Sequence, residues 1–123
     1  MTMHPEYETL LDEYLSELKL ARDDALKRVE GRLRTWTQRL GSEARAREQL
    51  SQQPPLCTGT RVIAVVRKYW LACDALNRKY PAHSIDPREF LVSWARSKDP
   101  KLADFVSELP YWPIGKDEEG NWV

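Results

Sequence analysis

Apolar residues recur at steps of four and three along the first third of the chain: Tyr7, Leu11, Tyr14, Leu18, Ala21, Ala25, Val29, Leu33, Trp36 and Leu40. Such spacing lines one face of an α-helix, with an extra step of four between Val29 and Leu33 that acts as a stutter. Leu10, Leu15 and Leu26 widen the stripe. Pro5 suits the first helical turn, where its missing N–H is not needed, and Gly41 suits a C-terminal cap. Gly31, inside the helix, costs about 1 kcal/mol relative to alanine.

The predicted helix is long for its protein. Residues 6–40 span about 52 Å at ~1.5 Å per residue, whereas a compact chain of 123 residues has a diameter of roughly 35 Å. The helix must therefore break near Asp23-Asp24 or Gly31, pair with a second chain, or make the protein elongated. The unbroken apolar side favours pairing.

Beyond it, Ser42 to Gln53 is rich in helix formers and poor in apolar residues, which suits a short exposed helix or a continuation, ended by Pro54-Pro55. Thr58 or Thr60 is positioned to cap a further helix. Its stripe is Val62, Val66, Tyr69, Cys73, Leu76 and Tyr80, with Ile63 and Trp70 beside it. Asp86-Pro87-Arg88-Glu89 is a helix start with a capping aspartate, a first-turn proline and an early glutamate. Asp99-Pro100 repeats the cap and proline. Phe90, Leu91 and Trp94, then Leu102, Phe105, Val106 and Leu109, supply apolar faces. After Pro110 the segment is not helical, and Lys116 to Gly120 reads as a turn of a small hairpin. Tyr111, Trp112, Ile114 and Trp122 make it too apolar for a free tail. Trp70, Trp94, Tyr111 and Trp112 are expected to gather where it crosses the helices.

The pattern predicts an all-α fold: a long N-terminal helix, three or four shorter helices and an irregular or hairpin-like C-terminal segment. It is a single domain over 1–123, with a helical arm at 5–53, a helical core at 58–109 and a docked segment at 110–123. Composition agrees, since 41% hydrophobic residues suffice for a core and exclude a disordered chain. The first twenty residues hold no unbroken apolar run of roughly 7–15, as a secretory signal needs. No stretch reaches the ~18 apolar residues of a membrane span. The expectation is a cytoplasmic chain with Cys57 and Cys73 as free thiols.

Charge changes the picture more. Nineteen basic and nineteen acidic residues cancel, but in blocks. Residues 6–24 hold seven acids against two bases, 27–48 seven bases against three acids, 61–101 nine bases against four acids, and 102–123 five acids against one base. The helix dipole accounts for part of the acid-then-base order of the first helix. Two such helices laid antiparallel would also set acid opposite base at both ends. The rival arrangement is an intramolecular hairpin, with the acidic start folded on the basic helix 61–80.

Candidate chemistry is sparse. His4, His83, Cys57 and Cys73 match no zinc spacing, and no family signature surrounds either cysteine. Cys73 sits on an apolar stripe, as an inert buried thiol does. Asp12-Glu13 and Asp23-Asp24 are helix neighbours that point apart and form no acid–base pair. No grouped glycines cradle a phosphate. No catalytic, metal or cofactor residues are assigned. The function expected is a non-enzymatic interaction module: an adaptor, inhibitor or regulatory subunit that forms a homodimer through Tyr7, Leu11, Tyr14, Leu18, Ala25, Val29, Leu33 and Trp36. Arg67, Lys68, Arg78, Tyr111 and Trp112 are the expected surface for a protein partner. A nucleic-acid-binding regulator using the basic helical faces is the alternative, and an enzyme with a dispersed site the third.

Overall fold

The structure, a computed structural model, describes residues 3–51 and 56–122, with the side chain of Leu56 left out. Helix α1 runs unbroken over Pro5–Leu40, through Asp23-Asp24 and Gly31 alike. His4 caps it: its Nδ1 accepts the Glu6 N–H at 3.2 Å, and Pro5 holds the first position. Gly41 ends it with φ 67°, its N–H donating to Thr37 O, a left-handed conformation that glycine adopts without strain. The next residues therefore turn back as a separate helix, α2 (Glu43–Ser51). Gln52 to Pro55, and with them the expected proline stop, lie outside the described residues.

Helix α3 (Thr60–Lys79) starts from Gly59, which offers no side-chain cap. Thr60 is already the first helical residue, and Thr58 lies in the short 3-10 turn Leu56–Thr58. α3 lies antiparallel to α1. Tyr7 meets Asn77, Tyr14 meets Tyr69 and Glu17 meets Lys68. The same register brings Thr60 beside Asp24, so the last sixteen residues of α1 extend past the start of α3.

A second helical layer closes the core. A continuous helical run at 87–98 (α4) begins with Asp86 accepting the Arg88 N–H at 2.8 Å. It contains a π-helical stretch, Phe90–Trp94, between α-helical turns. Asp99 caps α5 (Pro100–Ser107) through the Leu102 N–H. Phe90, Leu91, Ala95, Leu102, Ala103 and Val106 join Tyr7, Leu11, Tyr14, Leu18 and the α3 stripe in one buried cluster. The wider opening of the π-helical stretch meets a specific need: the hydroxyl of the fully buried Tyr14 donates to Leu91 O at 3.0 Å. A buried hydroxyl without such an acceptor would cost ~1–3 kcal/mol.

The C-terminal segment carries one isolated antiparallel bridge, Lys116 with Trp122, in place of a full hairpin. Trp112 and Trp122 pack on Trp70, with centroids 5.6 and 4.9 Å away. The expected four-aromatic gathering is not what forms. Trp94 instead packs with Tyr7 and Phe90 beside the start of α1, because the π-helical stretch turns it that way. Tyr111 is 58% exposed rather than docked.

Candidate interaction surfaces

The acidic first half of α1 finds its basic partners in its own chain. Lys79 reaches Glu6 at 3.3 Å, Lys68 reaches Glu17 at 2.8 Å, and Lys98 reaches Asp12 at 2.7 Å and Glu8 at 3.6 Å. The hydrogen bond from Lys68, with one from Tyr69, holds the Glu17 carboxyl below its usual range, and the one that Lys98 donates to Asp12 raises Lys98. This is the intramolecular hairpin: α3 and the end of α4 supply the base that an antiparallel second copy would otherwise supply.

Burial follows the same division. Tyr7, Leu11, Tyr14 and Leu18 have no accessible surface in the single chain. They were expected to line a seam between chains, and are instead covered by α3, α4 and α5. The other four, Ala25, Val29, Leu33 and Trp36, are half-buried. They lie where α1 has outrun α3, and α2 packs along this part of α1 with Ala46 fully buried. Leu26 and Leu40 remain exposed at 41% and 37%.

The arm's cations are less fully matched than those of the body. Arg28 pairs with Asp24 and Arg47 with Glu43, both within one helix. Lys27, Arg32, Arg34, Arg39 and Arg45 form no ion pair among the described residues, and Arg39 lies over the Trp36 ring at 5.7 Å. Arg28, Arg32 and Arg39 fall at helical spacings of four and seven, along one flank of α1.

The expected partner surface on α3 does not hold together as a basic patch. Lys68 is tied to Glu17 and lies over Tyr69. Arg78 is tied to Asp74. Only Arg67 is exposed with no ion pair among the described residues. Trp112 is half-buried against Trp70 and carries Arg88 over its ring at 5.4 Å.

Both thiols are buried. Burial pushes Cys73 up to about 12, with Asp74 and Asp86 adding to the effect, and raises Cys57 as well. A nucleophilic or metal-binding thiolate needs the opposite shift. Cys57 precedes α3 and Cys73 lies four turns into it, about 20 Å along the axis, too far for a disulfide. Among the described residues no three of His, Cys, Asp and Glu are grouped to hold a metal ion, and no helix is long and apolar enough to cross a membrane.

The two histidines do converge, which nothing in their spacing revealed. His4 and His83 stand 5.0 Å apart by ring centroid, with His4 stacked on Tyr80 at 4.3 Å. They edge a cleft of about 690 Å³ between the start of α1, the 81–85 loop and α4. Asn77 holds that loop in place. Its Oδ1 accepts from the Tyr7 hydroxyl at 2.7 Å and the Ile85 N–H at 3.0 Å, and its Nδ2 donates to Ile85 O at 2.7 Å.

Compared with known proteins, the chain matches no family model, no curated protein and no solved structure.

Proposed function

We propose that this chain is a protein-interaction module rather than an enzyme, and that it self-associates through the distal half of α1. One observation carries the reading: α1 extends about 24 Å past the start of α3, into a part covered by a nine-residue helix with one fully buried side chain. A helix that only served its own core would end near Asp24. The arm continues with Leu26 and Leu40 exposed and Ala25, Val29, Leu33 and Trp36 half-buried. Charge favours a second copy as the occupant. Residues 27–48 carry four more bases than acids and residues 102–123 four more acids than bases. Each copy thus offers both halves of a complementary pair, the basic arm of one copy lying against the acidic 102–123 segment of the other.

The area sets the strength. Two helices side by side, about 20 Å wide and 24 Å long, present on the order of 500 Å² per copy, at the low end of specific interfaces. Association is therefore weak and needs a concentration series to be seen. Light scattering into the high micromolar range is expected to rise from 14.4 kDa toward twice that mass, more readily at low salt. A Leu26→Asp, Leu40→Asp variant is expected to stay at single-chain mass while melting like the parent. Single-chain mass for the parent at every concentration and both salt levels would refute the proposal.

A second reading rests on the Arg28, Arg32 and Arg39 flank, which suits a phosphate backbone beside the half-buried Trp36. It ranks lower because Asp24 already holds Arg28 and Trp36 already holds Arg39. Three phosphate contacts would give a log–log salt slope of about −2 in anisotropy titrations with a labelled single strand.

A further inference from the structure

The geometry points to the histidine cleft as a binding site for a small organic cation with a flat apolar body, of the arylalkylamine class. It is separate from the arm, and its argument does not depend on self-association.

Three features of the cleft define the ligand. The first is its charge. Among its lining residues Glu89 is the only acidic or basic one besides the histidines, and this carboxylate has no ion pair or hydrogen bond among the described residues. The cations within reach in the sequence are engaged elsewhere: Lys79 with Glu6, Lys98 with Glu8 and Asp12, and Arg88 over Trp112. Glu89, exposed at the lip of the cleft and unpaired among the described residues, is thus open to a positive charge that a ligand brings.

The second is the walls. The half-buried Trp94 lines the cleft, its ring fixed edge-to-face at 6.2 Å against the fully buried Tyr7 behind it. Aromatic faces attract cations and flat rings alike. The third is the polar fittings. The Ser84 and Ser93 hydroxyls line the cleft and make no hydrogen bond among the described residues. His4 Nδ1 is an acceptor for Glu6 N–H, which assigns its proton to Nε2. The volume of about 690 Å³ falls in the range of small-ligand sites. Rigidity comes from the Asn77 clamp on one side and, on the other, from the π-helical stretch that places Ser93 and Trp94. Such stretches recur at functional sites.

The test is an NMR titration of the intact chain with tryptamine and with its neutral isostere, indole-3-ethanol. Tryptamine is expected to shift the amides of His83, Ser84 and Ser93 and the Trp94 indole in a saturable way, and to bind about fivefold more tightly than the alcohol. In Glu89→Gln the two are expected to bind alike. Trp94→Leu is expected to weaken both. Because Trp94 also packs in the core margin, the exposed Glu89→Gln change keeps the test independent of folding. No saturable shift up to about 10 mM, shifts confined to another surface, or a preference for the amine that survives in Glu89→Gln would each overturn the proposal.

Discussion

Leu18 and Leu26 belong to one helix, eight residues apart, and the structure gives them opposite fates. Leu18 has no accessible surface and sits in the core cluster, whereas Leu26 is 41% exposed. Truncating Leu18 to alanine removes buried methyl groups and leaves a space that α3 and α4 fill only in part. That combination costs about 3 kcal/mol, within the range seen for buried leucines. For a domain of this size, about 4 °C is lost per kcal/mol, so the Tm is expected to fall by 10 °C or more. Leu26→Ala removes a side chain already half in water and should stay within about 0.5 kcal/mol of the parent. Melting followed by far-ultraviolet circular dichroism reads both. It is run at concentrations below association, so that pairing adds nothing to the Tm. Light scattering on the same variants, taken up to concentrations at which the parent associates, separates the two ways of losing the contact. If Leu18→Ala melted like the parent but lost a dimer mass, Leu18 would be an interchain contact and the assignment of the proximal stripe to the core would be wrong.

Gly31 is interior to α1, and a Cβ built there meets nothing within 4 Å, so Gly31→Ala is expected to stabilise by about 0.5–1 kcal/mol in a urea titration; a loss would mean that the site is crowded. Tyr14→Phe removes the hydrogen bond to Leu91 O and is expected to cost about 1 kcal/mol. It should also speed hydrogen exchange of the amides at 91–96, and unchanged exchange would detach the hydroxyl from the π-helical stretch. Glu17 binds its proton more weakly folded than unfolded because of Lys68 and Tyr69. Its contribution is therefore present above the ordinary value of 4.5 and is lost as pH falls through the lowered folded one. Glu17→Gln should narrow the difference between urea midpoints at about pH 6 and about pH 3, and an unchanged difference would mean that the ion pair contributes nothing to acid stability.

Much of the fold was legible because helix signals are local. The stripe of α1, the Gly41 stop and the aspartate–proline starts of α4 and α5 each depend on a few neighbouring residues, and each forms where those residues predict. The π-helical stretch Phe90–Trp94 was not legible. Widening one turn changes no residue type; it answers to the buried Tyr14 hydroxyl, which arrives from a position 77 residues away. The histidine cleft escaped for the same reason. His4 and His83 meet only because the antiparallel register sets the start of α1 beside the end of α3, and Glu89 stands out only when the partners of every neighbouring lysine are known.

The charge blocks show where a sequence pattern constrains energy without choosing a structure. An acidic half-helix is satisfied equally by the basic half of a second copy and by the basic helix of its own chain. The intramolecular solution has the entropic advantage, because joining two chains sacrifices translational freedom that a loop closure does not. That advantage ends where α3 ends. Lys68, Lys79 and Lys98 of the 61–101 block are used on the first half of α1, and the bases of 27–48 face no comparable acidic helix among the described residues. α2 offers only Ala46 and the half-buried Leu50 as apolar cover, far less than α3 offers the proximal half. The distal arm is thus the part of α1 with the least burial per residue and the least charge compensation, and such segments sit at the low end of local stability. A partner there displaces little and gains both apolar contact and ion pairs. Intermolecular contact is therefore least costly on this arm, however well the rest of the stripe reads as a coiled-coil seam.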